Sequence, residues 1–375
     1  MTTRLKVMTV VGTRPEIIRL SATIKRLDKY TDHVLVHTGQ NYDYELNGIF
    51  FEDLGLRRPD HFLAADTSSL GAVLGSILAK VETVLLEESP DAMLVLGDTN
   101  SCISALMARR LKIPVYHMEA GNRAFDENVP EEVNRRLVDH VADYNLVYTE
   151  HARRNLLAEG IHPSRILLTG SPMREVLDAN ADAIAASDVL DRQELTPGEY
   201  FLVSLHREEN VDNPRRLTAV LEALGRVAHH FDLPVLVSTH PRTRKRLESQ
   251  PDDLKGKLIF HAPFGFNDYV QLQQSAKLVL SDSGTISEES SLLAFPAVSL
   301  RDAVERPEAL DTGATITAGV EPESVLDAVT MSLKQFEEDG PADVPAEYRI
   351  ADASRRVVSF MRSTVETHHA RSGIR

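Results

Sequence analysis

A single cysteine, Cys102, stands among 375 residues. That scarcity excludes an internal disulfide framework and any cysteine cluster for zinc, and Cys102 itself reads as a small buried apolar side chain. Basic excess is missing too. The chain carries 41 Lys and Arg against 56 Asp and Glu, a net charge of −15, so a nucleic-acid partner, which wants a basic face, is not expected. No run of about 18 apolar residues occurs and residues 1–7 open no secretory apolar core, which predicts a soluble cytoplasmic chain without membrane insertion. The first strand-like run is not followed by Gly-x-Gly-x-x-Gly, so a dinucleotide cofactor is not suggested. Low-complexity stretches and short repeats are also absent, and the expected partner is a small molecule.

What is present is a pattern of apolar runs that end in glycine or a polar group and give way to helical spacing. Lys6-Val7-Met8-Thr9-Val10-Val11 reads as a buried strand, Gly12-Thr13-Arg14-Pro15-Glu16 as a tight turn, and Ile17, Ile18, Leu20 and Ile24 as a helix face. Further strand-like runs lie at 34–39, 92–99, 113–116, 144–148 and 165–170, with helical stretches near 44–54 and 70–88. Strands alternating with helices predict a parallel, doubly wound α/β sheet. Residues 179–199, with Pro197-Gly198, read as a crossover, after which the pattern restarts at 200–210 and continues at 234–240, 258–260, 278–284 and 297–300. The length suits two such domains, each with its own core. We therefore expect one domain over 1–178 and a second over 200–351, then a helix over 352–366 and a frayed last nine residues.

Charged groups cluster at the predicted strand ends, where open α/β sheets hold ligands. Arg14 at a helix start is either an anion contact or a surface arginine. Asp98 is either the N-cap of a helix starting near Ser101 or a ligand contact. In His117-Met118-Glu119-Ala120-Gly121-Asn122-Arg123 the glycine breaks any regular element, so Glu119 and Arg123 are presented at a strand end. Glu131, Arg135 and Asp139 share one face of a helix begun by Pro130. The bland alternative for both stretches is a loop and a solvated helix face joined by ion pairs. From Ser281 to Ser290 a strand passes through small residues into a helix, whose first N–H groups, with the Ser283 and Thr285 hydroxyls, suit a phosphate. Ordinary capping by Ser283 or Ser287 is the alternative. Arg301 and Arg306 stand one strand later, placed to complete an anion site.

Together these motifs resemble the non-hydrolysing UDP-N-acetylglucosamine 2-epimerase family over nearly the whole chain. The elements that carry the resemblance are Gly12-Thr13-Arg14-Pro15-Glu16, Gly97-Asp98-Thr99, His117-Met118-Glu119-Ala120-Gly121, Pro130-Glu131-Glu132 with Asn134-Arg135, His206-Arg207 with Glu209-Asn210, Asp282-Ser283-Gly284 with Glu288-Glu289, and Glu305-Arg306-Pro307. The resemblance implies two Rossmann-like domains of the glycosyltransferase-B type with the active site in the interdomain cleft, a C-terminal helix over about 352–375 packing back on the first domain, and a homodimer. It makes Asp98, Glu119, Glu131, Arg135 and His206 catalytic, and Arg14, Tyr269, Ser283, Gly284, Thr285, Glu289 and Arg306 contacts to a UDP-sugar, with Glu289 on the ribose and Tyr269 beside the uracil. No metal or other cofactor is implied. The implied reaction inverts C2 by eliminating UDP to a 2-acetamidoglycal and adding it back, with carboxylates moving the C2 proton and a neutral imidazole at His206 donating to the leaving oxygen.

Departures from the family's commonest pattern point further. Asn122-Arg123-Ala124-Phe125-Asp126 replaces the usual continuation after Glu119, Thr285 and Ser287 replace a Gly and a Gln, and Asn41-Tyr42-Asp43 differs from the stretch used for allosteric UDP-N-acetylglucosamine. These variants resemble the branch that forms UDP-N-acetyl-L-fucosamine from UDP-2-acetamido-2,6-dideoxy-L-talose for capsule or O-antigen, with UDP-N-acetylglucosamine as the alternative substrate. A glycosyltransferase of the same fold is the rival class, which would not need Asp98, Glu119 and Glu131 together. A non-enzymatic sugar-nucleotide sensor is a third reading and would not need clustered titratable groups.

Overall fold

The computed structural model describes residues 4–39, 44–126, 129, 131–239, 257–302 and 306–374. Asn41, Tyr42, Asp43, Pro130, His240 and Glu305 lie outside the described residues. The chain divides into two compact units, Met1–Ala179 together with Ala346–Arg375, and Asn180–Pro345.

In the first unit seven strands form one parallel sheet: β1 (Lys6–Val11), β2 (Asp32–His37), β3 (His61–Phe62), β4 (Ala92–Leu96), β5 (Val115–Met118), β6 (Tyr144–Val147) and β7 (Ile166–Leu168). Their order across the sheet is β3-β2-β1-β4-β5-β6-β7. Crossovers therefore leave β1 and β4 in opposite directions while the two strands pair side by side, Val7 against Ala92 and Thr9 against Leu94. That divergence opens the crevice in which doubly wound sheets bind ligands. The central strands are near-continuous apolar runs because helices cover both faces of the sheet. One such cover is the helix Arg14–Tyr30, which buries Ile17, Leu20, Ile24 and Leu27 along one stripe. Each buried Leu or Ile contributes roughly 1.5–3 kcal/mol relative to exposure.

Ala353–Arg371 is a helix that packs on Arg14–Tyr30, so a segment distant in sequence completes the first unit. Arg26 Nε donates to Ser354 Oγ (2.8 Å) and Tyr116 OH meets Thr364 Oγ1 (2.6 Å). The expectation of a frayed end from residue 367 is corrected here. His368 is buried with Nδ1 3.4 Å from Tyr144 OH, and His369 Nε2 lies 2.7 Å from Lys112 O, so side-chain contacts hold the last turn.

The second unit repeats the plan with six strands: β8 (Phe201–Leu205), β9 (Val235–Thr239), β10 (Leu258–His261), β11 (Leu278–Ser281), β12 (Ala297–Ser299) and β13 (Thr315–Thr317). The order β10-β9-β8-β11-β12-β13 again places the divergence between the first and fourth strands of the unit. Helices Pro214–Phe231 and Pro322–Asp339 cover one face, with Leu217, Leu221, Leu224, Val325 and Val329 in its core. The short edge strands β3 and β13 were not expected. Two or three residues carry too little alternation to stand out from a turn.

Candidate functional site

At the carboxyl end of β1 the chain turns through Gly12 and Thr13 into the helix opened by Arg14 and Pro15. Glu16, only 1% exposed, locks the turn. Its carboxyl accepts from Gly12 N (3.0 Å), Thr13 N (2.7 Å) and Thr13 Oγ1 (2.8 Å), and from the hydroxyl of Ser101 beyond β4. Burial pushes Glu16 up to about 7 against the opposing effect of those donors. The residue is thus a strut joining the two central strand ends. Arg14, half-buried, lays its guanidinium over Phe50, 5.7 Å from the ring centre.

Asp98 does not cap a helix. Thr99 precedes the 3-10 turn Asn100–Ser104 instead, and the Asp98 carboxylate turns to Arg135, accepting from Nε at 2.9 Å and from a second guanidinium nitrogen. Arg135 also donates to Glu132 (2.8 Å), and Glu132 in turn holds Ala124 N (3.1 Å), which ties the 122–126 loop to the helix Glu131–Val141. Glu131 stands half-buried at the first residue of that helix, four residues before Arg135 and on the same face.

Glu119 follows β5 in the left-handed region (φ 64°), a conformation that costs a β-carbon-bearing residue energy and recurs at functional sites. Its carboxylate pairs with the guanidinium of Arg19, which is 3% exposed, and receives a long contact from Asn122 Nδ2 at 3.5 Å. A Cβ built on Gly97 would lie 3.9 Å from Glu119 Oε2, so Glu119 hangs over the residue that precedes Asp98. The structure therefore brings Asp98 and Glu119 into one neighbourhood, each against a buried arginine.

Beneath this pair lies a dry polar strut. His117 Nε2 donates to Gly97 O (2.7 Å) and Nδ1 sits 3.0 Å from Asp139. Asp139 accepts from Gly121 N (3.2 Å) and pairs with Arg123 (2.7 Å), whose other nitrogens grip Glu159 at 2.7 and 2.6 Å. Arg123 thus turns inward rather than being presented with Glu119, a correction to the sequence reading. Gly121 (φ 81°) admits no side chain, since a Cβ would lie 2.4 Å from Ala152 O.

In the second unit His206 follows β8 and Asp282 follows β11, which pair in register from Leu278 with Phe201 to Ser281 with Ser204. Asp282 is fully buried and sits 2.9 Å from His206 Nδ1, while the His206 side chain is 44% exposed. Ser283, Gly284 and Thr285 then lead into the helix Ile286–Leu293, with Ser283 Oγ accepting from Thr285 N at 3.3 Å. Glu289 accepts from buried Gln273 (2.6 Å), and Glu288 is taken up by Arg306 (2.9 Å). Tyr269 has its phenol pushed well up by burial and by the charges of Glu289 and Asp282, with a hydrogen bond to Ser204 acting the other way. Arg301 is buried just beyond β12.

Arg19 escaped the sequence reading, and His117, Glu132 and Asp139, named there within motifs or on the helix face, were given no individual role. One signal was available: Glu16, Arg19 and Thr23 fall at helical spacing beside the apolar stripe, and all three are buried. Among the described residues no group of three or more His, Cys, Asp or Glu is placed to hold a metal, and no helix is long and apolar enough to cross a membrane.

The sequence profile described as UDP-N-acetylglucosamine 2-epimerase matches residues 25–362. A solved structure of UDP-N-acetylglucosamine 2-epimerase from Rickettsia bellii has a TM-score of 0.91 at 46% identity, covering 98% of each chain. The Methanocaldococcus jannaschii UDP-GlcNAc 2-epimerase, solved in complex with UDP-GlcNAc and UDP, gives 0.89 at 37% identity over 96% of this chain and 100% of that one. A Pseudomonas aeruginosa UDP-2,3-diacetamido-2,3-dideoxy-D-glucuronate 2-epimerase is 34% identical over 363 residues, 95% of this chain and 99% of the relative. Fold and matches together define an epimerase, an isomerase built on two parallel-sheet α/β domains of the glycosyltransferase-B type. The chain belongs to the UDP-N-acetylglucosamine 2-epimerase family.

Proposed function

We propose that the protein inverts C2 of a UDP-N-acetylhexosamine by eliminating UDP to a 2-acetamidoglycal and adding it back. The observation that carries this reading is the pairing of Asp98 with Arg135 and of Glu119 with Arg19 around Gly97. Two carboxylates held apart by separate guanidiniums suit proton transfer at one carbon from two directions. No carbonyl is attached to C2, so its proton leaves only as the C1–O bond to UDP breaks. Glu131 is the third carboxylate of the set and Arg135 orients Asp98. His206 acts at the departing diphosphate oxygen, Arg14, Ser283, Gly284, Thr285 and Arg306 contact the nucleotide, Glu289 takes the ribose hydroxyls and Tyr269 flanks the base.

For the sugar, we favour the pair UDP-2-acetamido-2,6-dideoxy-L-talose and UDP-N-acetyl-L-fucosamine. The 122–126 loop, whose sequence departs from the commonest pattern, begins with Asn122 at Glu119 and is tethered through Ala124 to Glu132, which supports a part for its changes in sugar recognition. The second reading, UDP-N-acetylglucosamine, has in its favour the names borne by the Rickettsia and Methanocaldococcus relatives. Incubation with each nucleotide sugar in deuterated water, without an acceptor, tests both levels. Deuterium at C2 of a recovered UDP-sugar supports the epimerase, and its absence with every candidate removes it. A higher kcat/KM for UDP-N-acetylglucosamine than for UDP-N-acetyl-L-fucosamine overturns the substrate choice. A pocket shaped for a methyl rejects a hydroxyl only modestly, so the expected preference is visible but not absolute. The reading carries with it a cytoplasmic homodimer, which sedimentation of the purified protein tests.

A further inference from the structure

The imidazole of His206 does not stand alone at the end of β8. Asp282, carried to its side by β11, gathers four donors on one fully buried carboxylate. His206 N reaches Oδ1 and Oδ2 at 3.1 and 3.2 Å, Arg207 N reaches Oδ2 at 3.1 Å, and Asn210 Nδ2 reaches it at 3.2 Å. His206 Nδ1 completes the set at 2.9 Å from Oδ1. A carboxylate with its main-chain and amide donors in place has only acceptor capacity to offer the ring. The proton between them therefore belongs to Nδ1.

We propose that Asp282 is the positioning residue of His206: its buried carboxylate fixes the ring proton on Nδ1 and turns Nε2 outward as the nitrogen that meets the substrate. This rests on the reading that His206 serves the leaving diphosphate. It also corrects one part of that expectation, for a neutral ring protonated at Nδ1 has no proton on Nε2 to donate. Donation to the leaving oxygen comes from the imidazolium. As C1–O breaks and a carboxylate takes the C2 proton, Nε2–H passes its proton to the departing UDP oxygen and the ring becomes neutral with Nδ1–H intact. When UDP adds back to C1, the same nitrogen recovers the proton while a second carboxyl group, protonated until then, gives its proton to C2 from the other face.

Other charged and titratable groups stand around the pair. Tyr269, from the helix Phe266–Ser275, feels the Asp282 charge. Arg207 and Glu209 flank the ring in sequence, and Arg216, from Pro214–Phe231, reaches Asn210 Oδ1 at 3.1 and 3.0 Å and Asp302 at 2.7 Å. Asn210 also ties the assembly to Leu300 O (3.2 Å), which keeps the Asp282 carboxylate from turning away. The pulled-down titration of Asp282, to which the His206 charge and several hydrogen bonds contribute against burial, accords with a carboxylate that stays charged.

Nitrogen NMR of the whole protein labelled with [15N]histidine tests the inference, with His206→Asn identifying the His206 signals. In the unsubstituted protein at alkaline pH the two ring nitrogens should report the Nδ1–H tautomer. Asp282→Asn can turn its amide NH2 toward Nδ1 and should move the proton to Nε2, while UDP elimination slows by on the order of a hundredfold, the scale of a lost proton-transfer partner, and UDP binding persists. An Nε2–H tautomer in the unsubstituted protein, or one unchanged by Asp282→Asn, overturns the positioning role. Should Asp282→Asn fail to fold, the spectrum of the unsubstituted protein decides alone. A switched tautomer with undiminished epimerisation supports the positioning and overturns the leaving-group role of His206, so the two failures are distinguishable.

Discussion

The two units carry the same sheet plan but furnish their strand ends differently. In the first, the ends of β1, β4 and β5 are laced by buried charge, with Glu16 reaching from the β1 turn to Ser101, His117 bonded to Gly97 O, and Asp139 gathering Gly121 N, His117 and Arg123. In the second, the ends of β8 and β11 rely on main-chain N–H groups and short hydroxyls around one buried carboxylate, and the titratable ring of His206 is open to solvent. On the proposed reading the carboxylates of the first unit move the C2 proton and must be held in one geometry against like-charged neighbours, which takes a wider network than the single carboxylate that orients the His206 ring. A diphosphate arrives with its own charge and needs donors that water can hold in its place.

Breaking the network should therefore cost the first unit more than the matching change costs the second. Asp139→Ala leaves Arg123 without one buried partner and His117 without its acid, and should lower unfolding free energy by about 3–5 kcal/mol, whereas Ser283→Ala should cost no more than about 1 kcal/mol. Thermal or urea melts of the two variants check the contrast, and equal losses would erase it.

Acidity sharpens the difference, because Glu16 and Asp282 are shifted in opposite directions. Glu16 is pushed from 4.5 to about 7, so the folded state holds its proton more tightly than the unfolded chain. The Glu16 contribution is then greatest below 4.5, falls as pH rises through the interval to about 7, and stays reduced above it. Glu16→Gln should remove that fall, leaving the variant's melting point level across the interval. Asp282 is pulled below its ordinary 3.8, so its contribution is present above that value and is lost as pH falls through the lower folded one. Hydrogen exchange followed separately in each unit should show acid loosening the β8–β11 ends while sparing the β1–β4 ends.

Turnover should separate the units in the same sense. Glu119→Gln should reduce epimerisation by on the order of a hundredfold or more and leave UDP binding intact, as read by calorimetry beside a coupled assay. Near-normal turnover would make Glu119 a structural residue. The smallest effect is expected of Glu289→Gln, which should weaken UDP by about tenfold, the loss of one charge-assisted hydrogen bond, with kcat retained. A fall in kcat at saturating substrate would move Glu289 out of nucleotide binding.

How much of this was legible follows from the range of the forces involved. The strands were visible because doubly covered parallel strands must be apolar throughout, and the turns because Gly12, Gly97 and Gly121 punctuate them. Asp98 and Glu119 were singled out by position, just past strand ends, and His206 by the family resemblance. The pairings of Asp98 with Arg135 and of Glu119 with Arg19 were not. Arg19 and Glu119 are 100 residues apart and Arg135 and Asp98 are 37 apart, so no local spacing encodes either pair. Asp98 was open to a capping reading for the same reason: a carboxylate after a glycine looks alike whether it turns to its own backbone or to a distant guanidinium. Arg123 was placed with Glu119 by proximity in sequence, yet across a turn with two left-handed residues, Glu119 and Gly121, the two side chains take different partners, Arg19 for Glu119 and Asp139 with Glu159 for Arg123.

The return of the segment after Ala346 to the first unit has a consequence for synthesis. The helix Ala353–Arg371 supplies Ser354, Thr364 and His368 as partners to residues made far earlier, and all of Asn180–Pro345 is translated in between. At about 5–20 residues per second, that interval is on the order of ten seconds or more. During it the flank of Arg14–Tyr30 that Ala353–Arg371 later covers has no mate within the nascent chain, while the second unit has every one of its strands and can close on itself. The unit begun first is thus the one finished last.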